Sequence, residues 1–102
     1  MIDACFEIKG NRLVVTGELG PEHETAYSEA LFALLKSGFD EMEIDFRELH
    51  EMSSAYVGST CLLTLVASQR KRKVSILASR DIARVLEISG LDKLTQVRIP
   101  EK

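Results

Sequence analysis

The residues best placed to do chemistry in this chain are two adjacent serines, Ser53 and Ser54. Before them runs Glu41-Met42-Glu43-Ile44-Asp45-Phe46, in which apolar Met42, Ile44 and Phe46 alternate with acids. After them runs Ala55–Ala67, a proline-free and largely apolar stretch. Alternation of period two predicts a strand with one buried face. The long apolar stretch predicts a helix buried on most sides. A serine at such a junction caps backbone N–H groups that lack partners. The same N–H groups and the helix dipole favour an anion, so the position also suits a phosphate. The residue types alone leave both roles open.

The elements that must hold this junction follow from the rest of the pattern. The 102 residues fit one domain over 1–102, and 45% hydrophobic content is enough for a single core. A formal net charge of -3 argues against a nucleic-acid partner, which selects for basic faces. No apolar run approaches the ~20 residues that span a bilayer, and no basic-then-apolar leader opens the chain. Cys5 and Cys61 have no CxxC partner, so they read as two buried thiols in a reducing cytoplasm rather than a disulfide or a metal site.

Cys5–Ile8 and Arg12–Thr16 flank Lys9-Gly10-Asn11 and predict a hairpin. Gly17–Pro21 is a breaker cluster. Pro21 then opens a helix with Glu22 and Glu24 at its positive end and an apolar stripe of Ala26, Tyr27, Ala30, Leu31, Leu34 and Leu35, closed by Gly38. The second helix runs out into Arg70-Lys71-Arg72-Lys73. Val74–Ala78 predicts a strand, and Ser79-Arg80-Asp81 opens a third helix that Gly90 closes. Leu91–Ile99 gives a helical turn and an edge strand.

The order β-β-α-β-α-β-α implies an α/β fold. The sheet is mixed and four- to five-stranded, with an N-terminal hairpin, three to four helices and right-handed parallel crossovers. The strands ending near 16, 46 and 78 then share one sheet edge, where open α/β sheets gather their binding sites. Loops 17–21, 47–54 and 79–81 meet there, with the serine pair in the middle one.

Other residues point to chemistry less strongly. Arg70–Lys73 is expected to be a solvated helix end whose cations complement the dipole. Glu41, Glu43 and Asp45 are expected on a solvated sheet face rather than around a metal. His23 and His50 lack a partner at metal-ligand spacing. Cys61 sits in an apolar helix without a basic activator, which argues against a nucleophile and so against an enzyme.

With these residues in view, the chain resembles the STAS domain family, in its single-domain anti-sigma factor antagonist form, over nearly its whole length. Thr16-Gly17-Glu18-Leu19 resembles the family's G-E-L-D loop, and Ile44-Asp45-Phe46 its strand ending in Asp. Met52-Ser53-Ser54-Ala55-Tyr56-Val57-Gly58 resembles its phosphorylation motif M/I-D-S-[ST]-G-L-G. Ser79 with Ile82–Leu94 resembles its last helix and S/T-G-L-x-x-L ending.

The resemblance implies a cytoplasmic binding switch without a cofactor. A serine kinase of the histidine-kinase-like ATPase fold, often itself an anti-sigma factor, phosphorylates the serine after the motif's Asp. A metal-dependent serine phosphatase resets it. By position the acceptor is Ser54, with Ser53 as second choice. The expected partner surface is Glu18, Gly20, His23, Glu51, Met52, Ser53, Ala55, Tyr56, Val57 and Arg80. Three positions depart from the pattern: Ser53 replaces Asp, Tyr56 replaces Gly, and Gly20 replaces the Asp of the first loop. Tyr56 either offers aromatic contact area to a partner or fills space that the family leaves empty. The alternative function is a constitutive STAS subunit docked on a larger machine, such as a lipid-transporter ATPase, without phospho-switching. On either reading Gly58 is expected to pack close to the sheet.

Overall fold

The computed structural model describes residues 4–100; the side chains of Ser54 and Ala55 lie outside the described residues. Cys5–Lys9 (β1) and Arg12–Leu19 (β2) form a hairpin that sets Lys9 opposite Arg12 across a two-residue turn. A 3-10 turn over Pro21–His23 leads into α1, Glu24–Lys36. There follow β3 (Glu41–Phe46), β4 (Leu49–Met52), α2 (Ser54–Gln69), β5 (Lys73–Ala78), α3 (Arg80–Ser89), a 3-10 turn over Leu91–Lys93 and β6 (Gln96–Arg98). The sheet order is β1-β2-β3-β5-β6, with β4 also on β2. Only β1 runs antiparallel. This is the expected α/β architecture with its hairpin and three α-helices, enlarged by one strand.

The additional strand is β4. The segment 47–54 was expected to be a loop, and so was 17–21. Instead β2 continues to Leu19 and pairs with β4, Glu18 opposite Glu51 and Leu19 opposite Met52. The ladder slips at Gly17, whose φ of +90° few other residues adopt. A breaker signal therefore marked a bulge inside a strand rather than the end of one.

Register explains why one sheet face is core. Leu13, Ile44, Ile76 and Val97 form one row across four strands. Met42, Phe46, Val15, Val74 and Ala78 extend it, and all are buried. The helices cover this face, α2 lying between α1 and α3. The α2 helix is not buried all round: Tyr56, Val57, Thr60, Leu63, Thr64 and Ala67 face inward, while Leu62 and Leu65 are exposed. Gly58 is exposed too, and a methyl group built on it meets nothing, so it does not pack on the sheet.

The opposite face carries the acidic row, in which Glu41 is exposed as expected while Glu43 and Asp45 are paired rather than simply solvated. Arg12 opposes Glu43 in the register and meets its carboxylate at 2.5 Å, and Arg98 of β6 meets it at 2.9 Å. Asp45 is buried. The neighbouring strands supply the arginines that the strand pattern alone could not place.

The basic run after α2 is also more than a solvated end. The N–H of Arg72 donates to the Ala67 carbonyl at 2.8 Å and that of Lys71 to Ser68 at 3.0 Å, closing the helix with Lys71 at φ +59°. Arg72 turns back to donate to the carbonyls of Leu35 and Phe39, each at 2.7 Å, so it fastens the end of α1 to the end of α2. Left-handed backbone costs a side-chain-bearing residue ~1 kcal/mol. Lys71→Gly is therefore expected to stabilise the fold by about that amount, read as a raised urea midpoint at unchanged slope.

Cys5 is exposed and Cys61 half-buried, so the expected burial of both thiols does not hold; both are free. No described helix is long and apolar enough to cross a membrane.

Candidate functional site

The turn that leads through β4 to the Ser53-Ser54 junction is held by Asp45. Its carboxylate accepts the Arg47 backbone N–H at 3.0 Å and the Arg47 guanidinium at 3.0 and 2.7 Å. These bonds fix the kink at Arg47-Glu48 between β3 and β4. Glu48 then accepts the Gly17 N–H at 3.3 Å, which holds the kinked chain against β2. β4 carries the chain four residues further, and α2 starts.

Burial by itself would raise the Asp45 pKa, but the hydrogen bonds from Arg47 and the charges of Arg47 and Arg12 outweigh it and hold the carboxyl below its usual range. The folded pKa is thus lower than the unfolded one. Its stabilisation is present above the unfolded carboxyl value of about 4 and is lost as pH falls through the folded value. Asp45→Asn is expected to cost about 2 kcal/mol at neutral pH, with the deficit shrinking in acid. Urea titrations of both proteins across the acid range check this.

Ser53 occupies the N-cap position of α2 with extended φ and ψ of -82° and 162°, yet its side chain makes no capping bond. Its carbonyl accepts the Tyr56 N–H at 3.2 Å, and the residue is exposed. The simple capping role is therefore not taken up by Ser53. Ser54 is the first helical residue. No acidic residue lies in the first turn of α2, so the positive end of its dipole is not offset from within the helix.

Of the two readings of Tyr56, the structure overturns the partner contact and agrees with the filling of space. It is 1% exposed and offers no contact area to a partner. Its ring packs edge-on against Tyr27 with centroids 5.4 Å apart, and its hydroxyl donates to the Gly20 carbonyl. Tyr27 in turn shares a hydrogen bond with Thr60, whose hydroxyl also donates to the Tyr56 carbonyl at 2.8 Å. Burial, then the charges of Glu24 and Glu22, raise the Tyr56 pKa. Two of the three departures from the motif are therefore one coupled arrangement: the tyrosine at 56 reaches the residue at 20. A Cβ at Gly20 would lie 2.7 Å from a Glu22 carboxylate oxygen, so a side chain there displaces Glu22 rather than the backbone.

Of the other expected surface residues, Met52 at the end of β4 and Val57 in the first turns of α2 are likewise buried in the core. Glu18 and Glu51 oppose each other in the register, at the edge beside Gly20. His23 is half-buried, and its Nδ1 accepts the Gly20 N–H at 3.1 Å, so it shapes the first loop. Arg80 is exposed at the start of α3, which packs on β4. Ala55 lies outside the described side chains. Glu22 and Glu24 were absent from the expected surface. Their charges reach Tyr56 from the 3-10 turn and the start of α1, which packs against α2. Among the described residues no cluster of His, Cys, Asp and Glu could hold a metal.

The fold and the junction define a class: an α/β domain with helices on one sheet face and a serine-headed helix at the edge where its loops meet. The chain belongs to the STAS domain family: the family model described as "Mlab, STAS domain" matches residues 6–97. A search of curated proteins finds no match. Among solved structures, an anti-sigma factor antagonist from Mycobacterium paratuberculosis is 18% identical with a TM-score of 0.69, covering 99% of this chain and 87% of that one. A protein described as a candidate anti-sigma factor antagonist from Thermotoga maritima is 15% identical with a TM-score of 0.74, covering 92% and 84%. The Bacillus cell fate determinant SpoIIAA in its phosphorylated form is 19% identical with a TM-score of 0.59, covering 94% and 91%. At these identities the likeness is one of fold.

Proposed function

We propose that the protein is a phospho-regulated binding switch of a partner-switching pathway, with Ser54 as acceptor and Ser53 as a second choice. The observation that carries this is the start of α2, where an exposed serine at the N-cap position makes no side-chain bond to the helix N–H groups and Ser54 follows as the first helical residue. A phosphate there gains from those N–H groups and the dipole, so the fold need not change. It also adds about two negative charges at the start of α2. A partner packed on the bare serine must then desolvate a dianion, and releases it. By the family resemblance the partner is a serine kinase of the histidine-kinase-like fold, reset by a metal-dependent serine phosphatase, in the cytoplasm.

A second reading keeps the fold without the switch: a constitutive docking subunit of a larger complex, such as one built on a lipid-transporter ATPase. It is favoured by the Mlab description of the matching family model and by Ser53 in place of the motif's Asp. Affinity purification of tagged wild type and Ser54→Asp from the native host separates the two. The switch predicts a partner that wild type retains and Ser54→Asp loses. The same partner on both proteins at the same yield supports the docking subunit.

A further inference from the structure

The outward face of α2 is unusually apolar. From Ser54 to Gln69 the helix carries no charged residue. Leu62 is 60% exposed and Leu65 46%, and Phe32 of the adjoining α1 is 59% exposed. Between the two helices lies an apolar cleft of about 130 Å³, lined by Leu31, Phe32, Leu35, Ser59, Leu62 and Val66. A contiguous apolar patch that includes an open cleft marks a contact surface.

The charges that frame the patch identify what fits it. Both α1 and α2 return across the sheet between parallel strands, so they run in the same direction. Their N-terminal end carries Glu22, Glu24 and Glu51, and their C-terminal end Lys36, Arg70 and Lys71. The frame is acidic at one end, basic at the other and apolar between. Such a surface is complementary to itself when turned end for end. A two-fold axis through the middle of α2 sets the acids of one copy against the bases of the other. The same operation brings Leu62 and Phe32 of each copy to the cleft of its mate. Gly58 and Ser59, small and at the surface, let the helices approach.

We propose that this face is a homodimer interface, in which two copies of the chain pack α2 against α2 in antiparallel fashion about an axis near Leu62. An anionic membrane fits less well, because the acidic end would be repelled.

The test is sedimentation velocity of the unmodified full chain over a concentration series, at ~50 mM and ~500 mM salt. The expected mass rises from 11.4 kDa towards twice that value, with weaker association at high salt. Leu62→Arg is expected to stay monomeric throughout. A crosslink gives an independent readout: with Cys5→Ser and Cys61→Ser in place, oxidation of Leu62→Cys yields a covalent dimer. Ile88→Cys, at an 81% exposed position on α3, does not. A wild type that is monomeric at every concentration overturns the inference. So does a dimer that Leu62→Arg leaves intact, or a monomer that binds anionic vesicles through this face.

Discussion

Ser54→Asp is expected to lower affinity for the retained partner about 100-fold while the melting temperature holds or rises slightly. Ser54 is the first residue of the 16-residue α2, and no acid stands in that first turn. A carboxylate there interacts favourably with the dipole, contributing about 0.3–1 kcal/mol to stability. Binding responds in the opposite direction. A partner surface that closes over a neutral serine must strip water from a charge without offering it a counter-charge, at a cost of about 3 kcal/mol. Ser54→Ala adds no charge, so its affinity is expected to stay within a few-fold of wild type. Calorimetric titration of the partner into the three proteins, with melting curves for each, separates binding from folding. Equal affinity for all three, with unchanged melting, would contradict a charge-operated switch.

Tyr56→Ala is expected to cost about 4 kcal/mol, a large share of the 5–15 kcal/mol that hold a domain of this size together. The side chain is 1% exposed, packs on Tyr27 and ties the first turn of α2 to the Gly20 carbonyl. Truncation leaves a cavity beneath the serine junction and breaks that tie. Tyr56→Phe keeps the ring and removes only the hydroxyl, so a loss of about 1 kcal/mol is expected. Urea unfolding of the two variants gives both numbers. A cost below ~1 kcal/mol for Tyr56→Ala would mean that the site collapses around the gap and that the tyrosine is not what braces α2.

The sheet and its helices were legible because their signals are periodic. Met42, Ile44 and Phe46 alternate along β3 and are buried as alternation requires, and Gly90 closes α3 in the left-handed region. What escaped depends on neighbours that the chain order does not reveal. β4 is four residues long, too short to show a period, and exists because β2 runs past its bulge to meet it. Glu43 read as solvated because Arg12 and Arg98 reach it only across strands, and Asp45 because Arg47 turns back on it only where the chain bends after β3. The exposure of Leu62 and Leu65 was not legible, because an uncharged helix read as buried on most sides shows no polar side to oppose them. At the site itself, the serine pair and its place at a helix start were readable from the junction. The inward turn of Tyr56 was not, because it is settled by the carbonyl of Gly20, 36 residues earlier.

Intact-mass analysis with peptide mapping, on protein purified from its own host with phosphatase inhibitors present, tests the central claim most directly. A gain of about 80 Da that maps to Ser54 and disappears on phosphatase treatment is the predicted result. Complete absence of phosphate from both Ser53 and Ser54, under growth and under stress, would contradict the switch and leave the constitutive docking subunit in its place.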